Sequence, residues 1–545
     1  MNKIFNAPVT SKKSFSRSIL LLAGIALAGS ILLLIATSPW GIGVSRDGVR
    51  YIGGARSILQ GRGYANPISM EPITQWPPFF PFTLAVIGLS GIDPVEGARI
   101  LHVVLFGLNI FVAGLIIQKF TKSSIFALIG ACLMLVSYTV IESHCLVRSE
   151  PLFIFLVFTG FFFLLEYFGT GFKRFLFAAG GFTALACLDR YAGVSVIAAS
   201  VLTILLFHPK NIRVRVIDSV LYGAISSLPL GLWLLRNHLV AHKLTNRNLV
   251  FRATDSSYFL QAIDTFSSWI LPMKTSPFLR HSTLVIFLVL LTVLFILVIN
   301  KERQSESRAA GTADAFFRFM GLRIIFSVCV VGLELFHLTF LYAHVQASER
   351  HFLPIFVASL LASLVLLHRF LGLYPRHLWL KLIAIFLFIF IGFSYLQKSG
   401  GYLLNTYNEG RRYTNRTWRT SPTVAKAATL PADALIYSND PGALYILTNR
   451  KTYTLPRKYD RRYFRDKKSA TLDTKFMRRI ERTKKNLISQ NGYIVFFRQE
   501  HRWHTLTEPE LQQHFSLLLL DQFSDGSIYQ IKTSEDLAAV QGRPS

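Results

Sequence analysis

The chain has 545 residues, of which 52% are hydrophobic and only 16% are charged, and its formal net charge is +28. Apolar runs such as Ser18–Thr37 and Phe319–Tyr342 match the roughly 20 residues that a helix needs to cross a bilayer. This composition excludes a soluble globular protein. The positive charge collects beside the apolar runs, so it follows the positive-inside rule and does not indicate a nucleic-acid partner.

About eleven segments are predicted to span the membrane as helices. The first follows Lys12, Lys13 and Arg17 and is too long for the apolar part of a signal peptide, so we expect an uncleaved signal anchor. The predicted spans are residues 18–37, 95–117, 123–141, 150–168, 174–189, 191–207, 216–235, 281–299, 319–342, 351–368 and 379–397. One more apolar segment, 79–92, has 14 residues, which is short for a span.

Loop charge decides how segment 79–92 is placed. If it does not cross, 14 Lys and Arg residues fall in short cytoplasmic loops and three fall in the short loops opposite; if it crosses, this bias inverts. We therefore predict a juxtamembrane helix there, behind Trp76-Pro77-Pro78. The N-terminus is then cytoplasmic, and long outer loops lie at 38–94 and 236–280. We expect a multi-pass protein of the cell membrane with its C-terminal region in the periplasm.

The C-terminal region predicts a soluble α/β domain. From residue 398 onward it holds 25 Lys+Arg and 14 Asp+Glu, a net charge of +11. The strands predicted from apolar and β-branched runs are Ala434–Ser438, Leu444–Thr448, Tyr493–Phe497, Ser516–Leu520 and Ser527–Ile531, with a basic helix at Leu472–Ile488. We thus expect a transmembrane domain at 1–400, which includes both outer loops, and a basic extracytoplasmic domain at 401–545.

Charged residues stand at the outer ends of the predicted spans, where a charge needs either an ion-pair partner or a functional role. Each short outer loop places an arginine near an acid, and the long loops add further polar residues. The set comprises Arg148 and Glu150, Asp189 and Arg190, Glu349 and Arg350, Arg46 and Asp47, and Arg236 and Asn237. One interpretation is local salt bridges. The other is a cavity in which arginine binds phosphate through its planar fork and a carboxylate acts as a general base or metal ligand.

Six short motifs of the chain resemble, in their order and spacing, the motifs of GT-C fold glycosyltransferases. The nearest relatives by this resemblance are the family 39 protein O-mannosyltransferases and the aminoarabinose transferases. The resemblance covers about residues 18–400. The motifs are Ser45-Arg46-Asp47-Gly48, Trp76-Pro77-Pro78-Phe79, Arg148-Ser149-Glu150-Pro151, Asp189-Arg190-Tyr191-Ala192-Gly193, Trp233-Leu234-Leu235-Arg236-Asn237 and Arg350-His351-Phe352-Leu353-Pro354.

The resemblance implies transfer of a sugar from a polyprenyl-phosphate donor to an acceptor at the outer membrane face, with inversion. Asp47 would be the general base and Glu150 would assist it. The phosphate ligands would be Arg236, Arg350, Arg190, Arg148 and Asn237. No cofactor is certain. If a divalent metal is used, Asp47 and Glu150 would hold it, but Arg46 stands where many relatives have a second acid.

Two other classes of function fit a polytopic protein. A flippase for lipid-linked sugars, or another transporter, would often show two related halves and ionisable residues near the bilayer midplane. Here the first-loop pattern is not repeated, and the ionisable residues cluster at one face. A non-catalytic scaffold would not require Asp47 and Glu150 at family positions. Sugar, acceptor and lipid chain length are not readable; the acceptor is a protein, a lipid or a glycan.

Overall fold

A computed structural model describes residues 12–245, 251, 256–271, 275–304, 310–340, 348–374, 378–459, 473–499 and 504–532. By packing, the chain divides into two compact units. The first comprises residues up to Ser38 and Pro72–Tyr407, and the second comprises Pro39–Glu71 and Asn408 onward. Residues 39–71 of the predicted outer loop thus group with C-terminal residues, which the expected division at residue 400 does not do.

The first unit is helical. Its helices are α1 (Lys12–Ala36), α3 (Phe79–Gly88), α4 (Pro94–Thr121), α5 (Ser124–Val136), α6 (Tyr138–His144), α7 (Glu150–Thr170), α8 (Lys173–Asp189), α9 (Gly193–Phe207), α10 (Ile212–Ala241), α11 (Ser256–Ser268), α12 (Pro277–Gln304), α13 (Ala310–Phe340), α14 (Glu349–Leu373) and α15 (Leu378–Glu409).

Each of the eleven predicted spans is helical in the structure. Among the described residues, eight helices are long and apolar enough to cross a membrane, and the pair α5–α6, bent by 57°, would make a ninth. Helices α8 and α9 have 17 and 15 residues, fewer than the roughly 20 of a full span. The predicted class, a polytopic helical membrane protein, is confirmed. The predicted span end at Tyr342 lies outside the described residues.

The short helix α3 occupies the ambiguous apolar segment. Its 10 residues rise about 15 Å, half of a bilayer core of roughly 30 Å. It cannot cross alone, as predicted. Which side of the membrane it lies on, and with it the orientation of the whole chain, stays a prediction.

Small residues allow the first helices to pack closely. A Cβ atom added at Gly107 of α4 would lie 2.4 Å from Ser30 Oγ and 2.9 Å from the carbonyl oxygen of Ala26, both on α1. Ser30 Oγ also donates a hydrogen bond to the carbonyl oxygen of Val103, at 2.9 Å. Such small-residue contacts drive helix association in lipid, where the hydrophobic effect between helices is absent.

The second unit is a mixed α/β domain. It contains α2 (Arg46–Leu59), α16 (Arg416–Arg419), α17 (Pro422–Ala428), β1 (Ile436–Ser438), α18 (Pro441–Thr448), β2 (Thr452–Thr454), α19 (Phe476–Ser489), β3 (Tyr493–Phe497), α20 (Glu508–His514), β4 (Leu517–Gln522) and β5 (Gly526–Ile531). The strand order is β2-β1-β3-β5-β4. Strand β1 is parallel to β2 and β3, whereas β5 is antiparallel to β3 and β4.

Four predicted strands and the basic helix are present, but the strand predicted at Leu444–Thr448 is wrong. That apolar run belongs to helix α18, because Pro441 stands in its first turn and Asn449 ends it in the left-handed conformation. Both residues mark the ends of a helix, but the apolar run between them had been interpreted as a buried strand. Strand β2, which follows, had not been predicted. Leu472, the predicted start of the basic helix, lies outside the described residues.

Candidate active site

Glu150 organises the outer-loop residues of the first unit. It is the first residue of α7, followed by Pro151 in the first turn, and only 1% of its surface is exposed. Its Oε1 atom is ion-paired with Arg190 Nη1, at 2.7 Å, and also accepts a hydrogen bond from Arg350 Nε. Arg190 ends α8 and Arg350 stands in the first turn of α14. One buried carboxylate therefore joins the ends of three helices.

These ion pairs cross between loops, unlike the local pairs considered from the sequence. Arg148 contacts Glu142 of α6 through Nη2, at 3.4 Å, rather than pairing with Glu150 two residues away. Glu349 accepts hydrogen bonds from Thr139, at 2.8 Å, and Ser268, at 3.3 Å. The charged residues at this end of the unit form a connected site.

Several polar atoms of this site have no hydrogen-bond partner among the described residues. They are donors on Arg148 (Nε and Nη1) and acceptors on Glu150 (Oε2) and Asp189 (both carboxylate oxygens). Arg148 is 7% exposed and Asp189 only 2%. Glu150 lies within electrostatic range of both residues. Buried polar atoms are rarely left unmatched, so the site calls for water or a ligand that both accepts and donates hydrogen bonds.

Two buried histidines extend this site into the bundle, and sequence reasoning missed them. His102 Nδ1 lies 3.1 Å from the carbonyl oxygen of His144, and the amide of Asn109 lies 3.2 Å from His144 Nε2. A carbonyl oxygen only accepts, so His102 Nδ1 carries the proton, and its Nε2 has no partner within the described parts of the chain. The signal available in the sequence was a histidine inside a membrane-length apolar run.

Arg236 and Asn237 lie in a neighbouring part of the same unit. The Arg236 guanidinium lies 4.8 Å from the centroid of the Trp233 ring and donates to Asn237 Oδ1, at 3.1 Å. Trp233 donates in turn to the hydroxyl of Tyr191, at 3.2 Å, next in sequence to Arg190. Arg236 is thus connected to the Glu150 site through Trp233 and Tyr191. A direct convergence of Arg236 with Arg350 stays a prediction.

An apolar groove lies beside α6, at the side where Glu349 and Lys398 form an ion pair of 3.5 Å. The groove has a volume of about 430 Å³. Its walls come from α1, α5, α6 and α15, and include Leu32, Leu135, Ile141, Ser399, Gly400 and Leu403. Lys398 Nζ lies over the ring of Tyr138, 3.9 Å from its centroid. The apolar walls of the groove suit a lipid tail.

Asp47 belongs to the second unit, in the first turn of α2. The residue that caps this helix is Ser45, whose hydroxyl oxygen accepts a hydrogen bond from Gly48 N at 3.3 Å. Asp47 therefore does not serve as the N-cap, which was its alternative interpretation. It is half-buried. Its negative charge near the N-terminus of the helix is favourable in any case.

A metal site is not apparent at these residues. Within the described ranges, His, Cys, Asp and Glu side chains do not gather in groups of three or more that could hold a metal ion. At Glu150 two guanidinium cations contact Oε1, and their positive charges oppose the binding of a metal cation to the same carboxylate. The residues at Glu150 therefore do not fit a metal centre.

Comparison with known proteins identifies the fold. No family model and no curated protein sequence matches the chain. The crystal structure of ArnT from Cupriavidus metallidurans bound to undecaprenyl phosphate is similar, with a TM-score of 0.53 and 13% identity over 95% of this chain and 98% of that one. The apo structure of the same ArnT gives 0.53 and 12% over 97% and 100%. The chain has the fold of these proteins, and the expected GT-C fold is confirmed.

Proposed function

We propose that the protein is a membrane glycosyltransferase that moves a sugar from a polyprenyl-phosphate donor to an acceptor at the outer membrane face. The observation that carries this proposal is the set of unmatched buried atoms near Glu150. Arg148 offers donors for phosphate oxygens, and Glu150 and Asp189 offer acceptors for sugar hydroxyls. A glycosyl phosphate presents both kinds of group at once. The ArnT structure with undecaprenyl phosphate on the same fold supports the choice of lipid.

The arginines of the site stabilise the leaving group. As the bond between the anomeric carbon and the phosphate oxygen breaks, the electron pair stays on polyprenyl phosphate, and the added charge needs preorganised donors. Arg148 comes first, because its donors are unmatched among the described residues. Arg190 and Arg350 are oriented by Glu150, which fixes their guanidinium planes. Arg236 and Asn237 remain candidates for a second contact with the phosphate.

Asp47 is proposed as the general base on the family resemblance. An acceptor hydroxyl or amine attacks the anomeric carbon from the side opposite the phosphate, and its proton passes to the Asp47 carboxylate. Inversion at the anomeric carbon follows from a single displacement. A base of this kind accelerates a reaction by about 10²–10⁴-fold. Glu150 assists by holding the sugar through its second carboxylate oxygen.

The prenyl tail is assigned to the apolar groove beside α6. The groove is lined almost entirely by apolar side chains, and Glu349, whose neighbour in sequence is Arg350, pairs with Lys398 at its side. A lipid whose tail fills this groove can thus have its phosphate directed toward the start of α14. Undecaprenyl phosphate should therefore raise the melting temperature of the purified protein, whereas a phosphatidylcholine of similar apolar length should not.

The general base is tested with a matched pair of variants. Purified protein in nanodiscs is supplied with a panel of undecaprenyl-phosphate-linked sugars, and release of undecaprenyl phosphate is followed. Asp47→Asn should lower turnover by about 10²–10⁴-fold. Ser45→Ala removes the cap of the same helix and should leave turnover within a few-fold of wild type, since a cap is worth about 1 kcal/mol.

The outcomes separate the alternatives. Near-normal turnover of Asp47→Asn would move the base to another residue, with Glu150 next. Movement of an intact lipid-linked sugar across the membrane, without release of undecaprenyl phosphate, would instead support the transporter. A scaffold would do neither.

A further inference from the structure

Helix α2, which carries Asp47, packs against the C-terminal part of the chain within the second unit. Its buried face is rich in small residues, including Gly48, Gly53 and Ala55. A Cβ atom at Gly53 would lie 2.8 Å from Pro67 Cγ and 3.6 Å from the ring of Tyr445. The glycine is therefore required for the close approach of Pro67, whereas Tyr445 of α18 lies at an ordinary van der Waals distance from this position.

The two helices run side by side in the same direction. At one end Val49 meets Gly442, since a Cβ atom at Gly442 would lie 3.3 Å from Val49 Cγ2. At the other end Arg56 donates a hydrogen bond to Asn449 Oδ1, at 2.9 Å, and its guanidinium lies 5.3 Å from the centroid of the Tyr445 ring. These contacts repeat at helical spacing on both partners, as a packed helix pair requires.

The segment before α2 is held by the same part of the chain. The carbonyl oxygen of Val44 accepts a hydrogen bond from Tyr413 N, at 3.1 Å, and that of Ile42 accepts from Thr414 Oγ1, at 2.7 Å. Trp40 Nε1 donates to the carbonyl oxygen of Asn408, at 3.0 Å. Residues 40–44 and the far end of α2 are thus both fixed, so the first turn between them has little freedom to move.

We propose that the C-terminal domain is the positioning element of α2, and that the Arg56–Asn449 hydrogen bond fixes the orientation of the helix that presents Asp47. The proposal rests on the proposed function insofar as Asp47 acts as the base. Arg56 is 9% exposed, and a charge that is largely buried requires hydrogen-bond partners, of which Asn449 Oδ1 is one. The domain then belongs to the catalytic machinery by holding one helix, rather than being an appended binding module.

Asn449 allows a sharp test because of its backbone conformation. Its φ angle is +56°, in the left-handed region that Gly, Asn and Asp tolerate. Asn449→Gly keeps this backbone and removes the acceptor for Arg56. Asn449→Asp keeps both the backbone and an acceptor oxygen. The two variants differ in the contact with α2 and share the conformation of the helix end, so they form a matched pair.

The full-length protein in nanodiscs is examined by hydrogen exchange and by turnover of the undecaprenyl-phosphate-linked sugar. In Asn449→Gly, amides of residues 48–59 should exchange about tenfold faster, the effect of losing one hydrogen bond to a charged group. Strands β3 and β5 should keep their protection. Turnover should fall by a similar factor with an unchanged KM, because α2 is mispositioned while the donor site is intact. Asn449→Asp should restore both readouts.

Two outcomes would overturn the proposal: unchanged exchange of α2 in Asn449→Gly, whatever the turnover, or faster exchange with normal turnover. If Asn449→Gly does not fold, Arg56→Gln tests the same hydrogen bond from the other side. Failure of the base assignment is recognised separately. In that case Asp47→Asn stays active, while the exchange of α2 still reports whether the C-terminal domain holds it.

Discussion

Two buried carboxylates stand at opposite ends of helix α7 and are used in different ways. Glu150 begins the helix, and Asp218 of α10 contacts Tyr167 near its end. Asp218 is fully buried, and its two oxygens contact the Tyr167 hydroxyl and Lys173 Nζ. At Glu150, one oxygen serves two arginines and the other lacks a partner among the described residues.

We propose that this difference separates a structural ion pair at Asp218 from a binding site at Glu150. At the Asp218 end one oxygen accepts a hydrogen bond from Tyr167 and the other, although it lacks a hydrogen bond among the described residues, is ion-paired with Lys173, so a ligand would have to displace an existing contact. At the Glu150 end, unmatched donors and acceptors are retained at a cost, since a buried polar group without a partner destabilises by about 1–3 kcal/mol. Retention of that cost in several residues of one site indicates a ligand that repays it.

The strongest way to break this comparison is to neutralise each acid and measure turnover. Glu150→Gln keeps the shape but removes the negative charge that Arg190 and Arg350 share, so these donors lose part of their orientation. We expect turnover to fall at least about 100-fold. Asp218→Asn, the matched change at the other end, should keep turnover per folded molecule within about threefold. Equal losses in both variants would mean that the Glu150 site is structural too.

Exchanging arginine and lysine at each end of α7 should have the next largest effect on turnover. Arg148→Lys retains the charge but loses the planar fork, so we expect turnover to fall by about 10–100-fold with a weaker effect of undecaprenyl phosphate on the melting temperature. Lys173→Arg at the Asp218 end keeps a cation in reach and should be tolerated. A fully active Arg148→Lys would remove Arg148 from the phosphate contacts.

The free energy of unfolding should respond in the opposite way to turnover, with a clear loss at the Asp218 end. Asp218→Asn weakens the contacts of a fully buried acid, and we expect the free energy of unfolding to fall by about 1.5–3 kcal/mol. The loss should lie toward the lower end of this range, because Lys173 is 43% exposed and water screens its charge. Denaturant titration in mixed micelles measures this loss. Asp218→Asn combined with Lys173→Met should cost less than the sum of the two single changes. Simple additivity would show that the pair does not interact.

Glu508, a carboxylate of the second unit, extends the comparison of the two acids because its contribution to stability depends on pH. Burial raises the pKa of Glu508, but hydrogen bonds from Ser527, Arg498 and Tyr529 outweigh this and lower the pKa below its ordinary value of 4.5. The resulting stability is present above that value and is lost as pH falls through the lowered pKa. Glu508→Gln should therefore destabilise the second unit by about 1 kcal/mol near neutral pH and less in acid.

Hydrogen exchange of β5 at several pH values checks this prediction. The exposed acid Glu481 of α19 supplies the control, since Glu481→Gln should leave the exchange of β5 unchanged at every pH. A loss in Glu508→Gln that does not vary with pH would show that the side chain acts by packing and not by charge.

The sequence predicted the fold class, whereas the roles of the site residues stay predictions and the ion pairs among them differ from the expected local ones. Run length alone located helices for all eleven spans, because the bilayer sets their length. Pairing failed for Glu150, where neighbours in sequence had been considered as partners. Residues two apart at a helix start do not face each other, so Arg148 contacts Glu142, while Arg190 and Arg350 reach Glu150 from other helices.

Other features depend on contacts that local patterns do not contain. The grouping of α2 with C-terminal residues depends on contacts such as Arg56–Asn449, which a periodic sequence pattern does not predict. His102 and His144 look like isolated polar residues in apolar runs until their hydrogen bonds place them near Arg148. The helix α18 was different, since its Pro and Asn signals were present and the apolar run outweighed them.

The pairing of α2 with α18 also sets an order of events during synthesis of the chain. Arg56 and Asn449 are 393 residues apart. At about 5–20 residues per second, roughly 20–80 s pass between their appearance at the ribosome. During that time α2 has left the ribosome but lacks the partner that covers its glycine-rich face. The helix that bears Asp47 can therefore reach its final packing only after nearly all the membrane helices have been made, so a chain that ends before α18 would lack the partner of α2.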